Sequence, residues 1–487
     1  MRHHGAVRKA IITIVILTAL ALMVVPLALP WRATRDLAAA EREAEIRPQA
    51  VARSERAVAP GPPLLTPRRI PEVLAEPVTL ARIADYLEPV TRGWPEPSCL
   101  VVYAGDHRVL DFNGGLALTP ASVEKVMTAV AALDDLDPES RFTTALVGGA
   151  PPADGIVNGD VWMVGGGDPV LATREYADSF RRQPQLFTPL EDLADAVVAA
   201  GVTRIRGRIL GDDSRYDRVR FLPSWPERYR SQKNAGPIGA LAVNDGFVEW
   251  DPVRVEAGDP AAHAAAELAV LLAERGVVVG GTGVGVAPDD AVPIARVDSP
   301  PVAEIVRAML RESDNDTAES LIRELGLVVS GDGSTEAGAQ AVEQVVSERV
   351  PGSEAVAVYD GSGLSPSDTT SCEVLTSLLV EEGPDSVIGT GLPVAAETGT
   401  LAHRFIDTPV AGRLHAKTGL LNHVNGLAGF VEPSDPGDPL ITFAQLLNGV
   451  PLEGRVGLEL QEQLALILVD LPDGPDIARI TVPGGRQ

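Results

Sequence analysis

Thr119-Pro120-Ala121-Ser122-Val123-Glu124-Lys125-Val126-Met127 reads as the opening of a helix. Proline stands near the start, glycine is absent, and Val123, Val126, Met127 and Val130 fall at helical spacing, which makes one face apolar. Ser122 and Lys125 are three apart, so about one turn returns the amine to the side of the hydroxyl. A serine hydroxyl is a poor nucleophile until a neighbour takes its proton, and a lysine does so only when burial or another cation keeps it neutral. Arginine cannot substitute. The chain uses arginine for almost every basic position, and its lysines are Lys9, Lys125, Lys233 and Lys417. An isolated S-x-x-K is also an ordinary helix start, so companions elsewhere decide its meaning.

Two companions follow in order. Ser313-Asp314-Asn315 lies between apolar-periodic segments at 302–310 and 317–325, where small polar residues commonly cap a helix. Lys417-Thr418-Gly419 lies on the first of three late strand-like segments, 412–417, 426–431 and 440–447. S-x-x-K on a helix start, S-D-N on an inter-helix turn and K-T-G on a strand, in this order, form the set used by penicillin-binding proteins and serine β-lactamases. In that chemistry Ser122 attacks a carbonyl carbon and Lys125 takes its proton. Ser313 passes a proton to the leaving amine, and Asn315 bonds the substrate's peptide group and holds Lys125. Lys417 attracts a substrate carboxylate and, by like-charge repulsion, helps keep Lys125 neutral. Thr418 bonds that carboxylate, Gly419 completes the motif, and the backbone N–H groups of Ser122 and Leu420 hold the oxyanion.

Further stretches are familiar: Gly167-Asp168-Pro169, 211–217 (GDDSRYD), 236–246 (GPIGALAVNDG), 360–365 (DGSGLS) and Gly399-Thr400-Leu401. Together with the three motifs, residues 80–470 resemble the class C low-molecular-mass penicillin-binding proteins, the D-alanyl-D-alanine carboxypeptidase/endopeptidase family. The resemblance implies a penicillin-recognising transpeptidase-type domain split by an insert between the first two motifs. It implies action on peptidoglycan stem peptides and acylation by β-lactam antibiotics. Two departures stand out. Ser122 and Ser313 are closer than is usual in the family, which implies a reduced insert. Leu420 follows K-T-G where the family commonly has threonine, which removes a hydroxyl for the terminal carboxylate. Arg413 and His415, on the same strand, are candidates to replace it.

Other readings fit less well. A β-lactamase needs a deacylating group, and no E-x-x-L-N-like segment lies between Asn315 and Lys417. A catalytically weak wall-binding scaffold of the same fold is motivated only by Leu420. A Ser-His-Asp hydrolase lacks its G-x-S-x-G elbow, and His107, His263, His403, His415 and His423 have no distinctive spacing. Val164-Gly165-Gly166-Gly167-Asp168-Pro169 and Gly280-Gly281-Thr282-Gly283 lack the Gly-Lys-Ser/Thr of a phosphate loop and read as tight turns. No metal or other cofactor is expected, since a cysteine-based metal site is unlikely with two cysteines and no histidine at ligand spacing.

The 487-residue chain carries a formal charge of −26, which disfavours nucleic acid as a partner because its phosphates repel an acidic protein. Arg2, Arg8 and Lys9 precede an uncharged run at 10–29, long enough to cross a bilayer as a helix, with the positive flank cytoplasmic. Absence of a clear cleavage site favours an uncleaved membrane anchor over a removed signal. Residues 32–77, rich in Ala, Arg, Glu and Pro, read as an extended stalk.

The expected order is anchor or signal (1–31), stalk (32–77), a first transpeptidase-like part (78–137), a β-rich insert (138–296) and a second transpeptidase-like part (297–487). The fold class is α/β (α+β), an antiparallel sheet flanked by helices. Within it the texture predicts a hairpin over 99–113 turning at Asp106-His107, a strand at 354–359 and a helix at 368–381. Cys99 and Cys372 are either a disulfide, permitted outside the cell, or two buried thiols.

Overall fold

The computed structural model describes residues 70–433, 438–450, 455–469 and 471. The chain divides into units 1–67 and 68–487, and the described residues belong to the second. The apolar run at 10–29 and most of the expected stalk lie outside the described residues. Among the described residues no helix is long and apolar enough to cross a membrane.

In chain order the strands of the two main sheets are β1 (Ser98–Ala104), β2 (His107–Phe112), β3 (Thr143–Gly148), β4 (Ile156–Val157), β5 (Val161–Val164), β6 (Arg204–Asp212), β7 (Val278–Val284), β8 (Val292–Asp298), β9 (Leu414–Leu421), β10 (Val424–Val431) and β11 (Ile441–Asn448). The longer helices are α1 (Ile70–Leu87), α2 (Lys125–Asp135), α3 (Leu190–Ala199), α4 (Pro260–Glu274), α5 (Val302–Glu312), α6 (Asn315–Ser330), α7 (Thr335–Arg349), α8 (Cys372–Glu382) and α9 (Val456–Val469).

The first sheet is antiparallel throughout, in the order β9-β10-β11-β1-β2. Its interior strand β10 is buried at every residue, because helices cover both faces. On one face Val123, Met127, Leu321, Ile322 and Leu375 pack with Ala428 and Leu446. On the other, Ile83 and Leu87 of α1 and Leu464 and Leu468 of α9 pack on Leu427 and Phe443. Burying each such side chain stabilises by about 2 kcal/mol. β9 is an edge strand, so the Lys417-Thr418-Gly419 segment lies on an open side of the sheet.

The second sheet is mixed, in the order β7-β6-β5-β3-β8, with β4 also pairing β6. Its own core includes Leu146, Met163, Leu193, Ile209 and Leu268, with α3 and α4 packed against it. All its strands fall between Ser122 and Ser313.

Several local expectations are corrected by tertiary context. Helix α1 begins at Ile70, inside the segment read as stalk, and keeps Pro77 within it, because its later turns bury Ile83 and Leu87 on the sheet. The hairpin turns at Gly105-Asp106, and His107 already pairs with Ala104. Gly280-Gly281-Thr282-Gly283 is not a turn but the middle of β7; pairing to β6 in parallel, with a register shift between Val279 and Gly281, absorbs the glycines. The strand expected at 354–359 is reduced to a single bridge, Ala357 to Thr369, since no neighbour extends alongside it. Residues 368–371 precede α8 rather than begin it, and Ser371 caps the helix by accepting from Val374 N–H.

Cys99 on β1 and Cys372 at the start of α8 form a disulfide, Cα atoms 6.0 Å apart. Their sequence separation of 273 closes a very long loop, so the chain-entropy account gives the bond about 6 kcal/mol. A Cys99→Ser/Cys372→Ser chain is therefore expected to unfold about 7 °C below the parent in calorimetry. An unchanged midpoint contradicts this.

Candidate active site

Ser122 lies in a 3₁₀ turn, Ala121–Glu124, immediately before α2, rather than within the α-helix expected from Pro120. The reason is local: Ala121 takes φ +50°, so regular α-helix begins only at Lys125. The turn rests directly on β9, where a Cβ on Gly419 would meet the Pro120 carbonyl at 2.6 Å. The glycine of K-T-G is thus required for close approach of the strand and the turn that carries Ser122.

Lys125 is fully buried. Its Nζ lies 3.2 Å from Ser122 Oγ, 2.7 Å from Asn315 Oδ1 and 2.6 Å from the Ser362 carbonyl. A neutral amine has two N–H groups and one lone pair. With Asn315 Oδ1 and Ser362 O accepting the two N–H bonds, the lone pair is left for the Ser122 hydroxyl. Burial, opposed by Asp360 and Glu319, lowers the amine from its ordinary value to about 8.

Ser313 ends α5 in the left-handed region, φ +59°, a conformation held at some energetic cost for a non-glycine residue. Asp314 caps α6 by accepting from Asp316 N–H, so the capping reading holds for the middle residue of S-D-N. Asn315 is the first residue of α6, and its Nδ2 donates to the Asn234 carbonyl at 2.6 Å. Lys417, also fully buried, donates to Ser313 Oγ at 2.7 Å and to the Thr418 carbonyl at 2.9 Å. Six of the seven polar motif residues therefore form two groups, Ser122–Lys125–Asn315 and Ser313–Lys417–Thr418, while Asp314 caps α6.

Burial is the largest cause that lowers Lys125, and burial together with repulsion from Lys125 pulls Lys417 well below its usual range. One sequence reading needs correction here. Arg413 and His415 do not reach the cleft, because Arg413 donates to the Glu432 carbonyl and His415 lies 3.5 Å from the Glu432 carboxylate. Leu420 is 65% exposed, with only an apolar side chain to offer a carboxylate.

The structure also brings in residues of the 360–365 stretch, to which no role was given from sequence. Asp360-Gly361-Ser362-Gly363 wraps beneath Lys125. Glu319 Oε1 accepts from Gly361 N–H at 3.1 Å and Ser362 N–H at 2.9 Å, and Thr128 Oγ1 donates to Gly361 O at 2.8 Å. Asp360 accepts from Gly363 N–H and Ser365 N–H, each at 2.6 Å, and from Trp225 Nε1 at 2.7 Å. Trp225 and Asn234 belong to the segment between the first two motifs, so the insert touches both Asp360 and Asn315. Among the described residues no group of three or more acidic, histidine or cysteine side chains is placed to hold a metal ion.

Burial, then Asp360, raises Glu319 to about 8. Between its unfolded value of 4.5 and about 8 the folded chain holds a proton that the unfolded chain has released, so this contribution to stability is present at low pH and lost as pH rises through about 8. Glu319→Gln keeps the carbonyl acceptor and removes the titration. The fall in thermal midpoint between pH 5 and pH 9 is expected to be smaller for the Gln chain than for the parent; an equal or steeper fall refutes the assignment.

Comparison with known proteins shows the family and the fold. Residues 100–260 and 249–471 match the D-Ala-D-Ala carboxypeptidase 3 (S13) family. The chain is 32% identical to carboxypeptidase DacB of Mycolicibacterium smegmatis, over 70% of this chain and 74% of that one. It is 26% identical to the D-alanyl-D-alanine carboxypeptidase of an Actinomadura species, over 82% and 87%. The fold matches penicillin-binding protein 4 of Haemophilus influenzae with a TM-score of 0.66 at 22% identity, covering 79% of this chain and 99% of that one. A family match running from β1 to beyond α9, with a relative at this identity over most of its length, means that the chain belongs to the D-Ala-D-Ala carboxypeptidase 3 (S13) family.

Proposed function

We propose that the chain is a serine D,D-peptidase, acting on the D-alanyl ends or cross-links of peptidoglycan stem peptides and acylated by β-lactams. The observation that carries this reading is the Lys125 amine, whose two N–H acceptors leave its lone pair for Ser122 Oγ. Ser122 Oγ forms a bond to the carbonyl carbon as its proton passes to Lys125 Nζ. Backbone N–H groups of Ser122 and Leu420 hold the oxyanion. As the C–N bond breaks, the proton held by Lys125 is returned by way of Ser313 Oγ, itself bonded to Lys417, to the leaving amine, which leaves Lys125 neutral. Water then attacks the ester carbonyl, its proton passing to Lys125 and from there to Ser122 Oγ as the ester C–O bond breaks. Asn315 bonds the substrate peptide group, while Lys417 and Thr418 face the carboxylate. The penicillin-binding protein 4 fold is also known complexed with a β-lactam in Haemophilus influenzae, which supports the inhibitor class.

The same reading sets the catalytic unit outside the cytoplasm on an N-terminal anchor. The basic flank before the apolar run at 10–29 and the Cys99–Cys372 disulfide, which suits an oxidising compartment, support it. Defined monomeric and cross-linked peptidoglycan fragments, analysed by mass spectrometry after incubation, test the activity. Loss of one alanine from monomers identifies a carboxypeptidase and halving of dimers an endopeptidase; intact fragments overturn the proposal.

A further inference from the structure

The carboxylate end of the cleft carries a hydroxyl outside the three motifs. Residues 393–401 follow the open edge of β9: Ala416 N–H donates to Pro393 O and Ala395 N–H to Leu414 O, both at 2.9 Å. This segment ends in a 3₁₀ turn, Gly399–Leu401, which brings Thr400 Oγ1 to 2.8 Å from Thr418 Oγ1. The turn is pinned on both sides. Leu401 is fully buried, and Gly399, at φ +58°, sits where a Cβ would meet the Arg311 carbonyl at 2.2 Å. Arg311 lies two residues before Ser313, so Thr400 is held between the S-D-N turn and the K-T-G strand. Both threonines remain partly exposed, and Leu420 offers no hydroxyl.

A carboxylate has two oxygens and about four lone-pair sites, so one hydroxyl leaves most of it unsatisfied. In the bond between Thr400 and Thr418 one hydroxyl donates and the other keeps its hydrogen free. Rotation of both O–H groups toward an arriving carboxylate replaces one neutral bond by two charge-assisted ones.

Resting on the peptidase reading above, we propose that Thr400 is a specificity-determining residue. Its hydroxyl binds, together with that of Thr418, the terminal carboxylate of the peptide substrate or the carboxylate of a β-lactam, and supplies the contact that Leu420 cannot.

The test compares acylation of the full chain by benzylpenicillin and by its neutral carboxamide, followed by mass spectrometry. Thr400→Val is expected to slow acylation by benzylpenicillin about tenfold or more, and by the carboxamide less than about twofold. Thr400→Ser is expected to restore the parent rate, and Leu420→Thr to recover much of it within the Thr400→Val chain. Equal slowing with both probes, whether by misfolding or by loss of general positioning, overturns the proposal alone, as does no slowing with either. Absence of any adduct on the unaltered chain overturns the peptidase reading and this proposal with it.

Discussion

Ser122→Ala is expected to abolish the mass gained on incubation with benzylpenicillin and to lower peptide hydrolysis by roughly 10⁴- to 10⁶-fold, the scale seen when a serine nucleophile is removed. The substitution deletes one oxygen from a partly exposed turn and leaves the buried contacts of Val123, Val126 and Met127 in place. Lys125 keeps its bonds to Asn315 and Ser362, so the site keeps its shape. The variant should therefore unfold within about 1 kcal/mol of the parent while losing its chemistry. A drug-sized adduct on the alanine chain would place the nucleophile elsewhere.

Lys125→Arg tests the base. Arginine preserves charge but does not lose its proton in water, and its planar guanidinium has no lone pair for Ser122. Acylation is expected to fall by roughly 10²- to 10⁴-fold, the usual contribution of a positioned general base. In the parent chain, burial brings Lys125 to about 8, so the neutral, proton-accepting form gains population as pH rises toward 9. The acylation rate should climb between pH 6 and pH 9 with a midpoint near 8, and Lys125→Arg should flatten that climb. A parent profile that falls over this interval refutes Lys125 as the base. An Arg chain that acylates at the parent rate does the same.

The inserted segment changes what such variants mean. Asn234 O holds Asn315 and Trp225 holds Asp360, so the residues that aim Lys125 are braced from two sides of the chain. Neither Asn234 nor Trp225 belongs to the S-x-x-K, S-D-N or K-T-G signature.

Much of the site was legible beforehand because its chemistry is carried by side-chain types at short spacing. Ser122 with Lys125, Ser313 with Asn315, and Lys417 with Thr418 each announce themselves within four residues, and their order along the chain named the fold class. Helices α5 and α6 and the three late strands were likewise visible as apolar-periodic and strand-like segments.

What sequence could not give falls into two physical kinds. Some functional groups are backbone atoms: the Ser362 carbonyl that holds Lys125 belongs to a residue whose side chain does not make that contact. Others exist only as pairings across long separations, such as Thr400 with Thr418 or Cys99 with Cys372. The sequence alone determined the three motifs and the layers that carry them, because identity and periodicity are local properties. Only the tertiary structure decided that Lys125 is fully buried, and that the glycine run at 280–283 is strand. Desolvation and sheet pairing depend on which distant segments come to lie alongside, and no spacing within one segment records that.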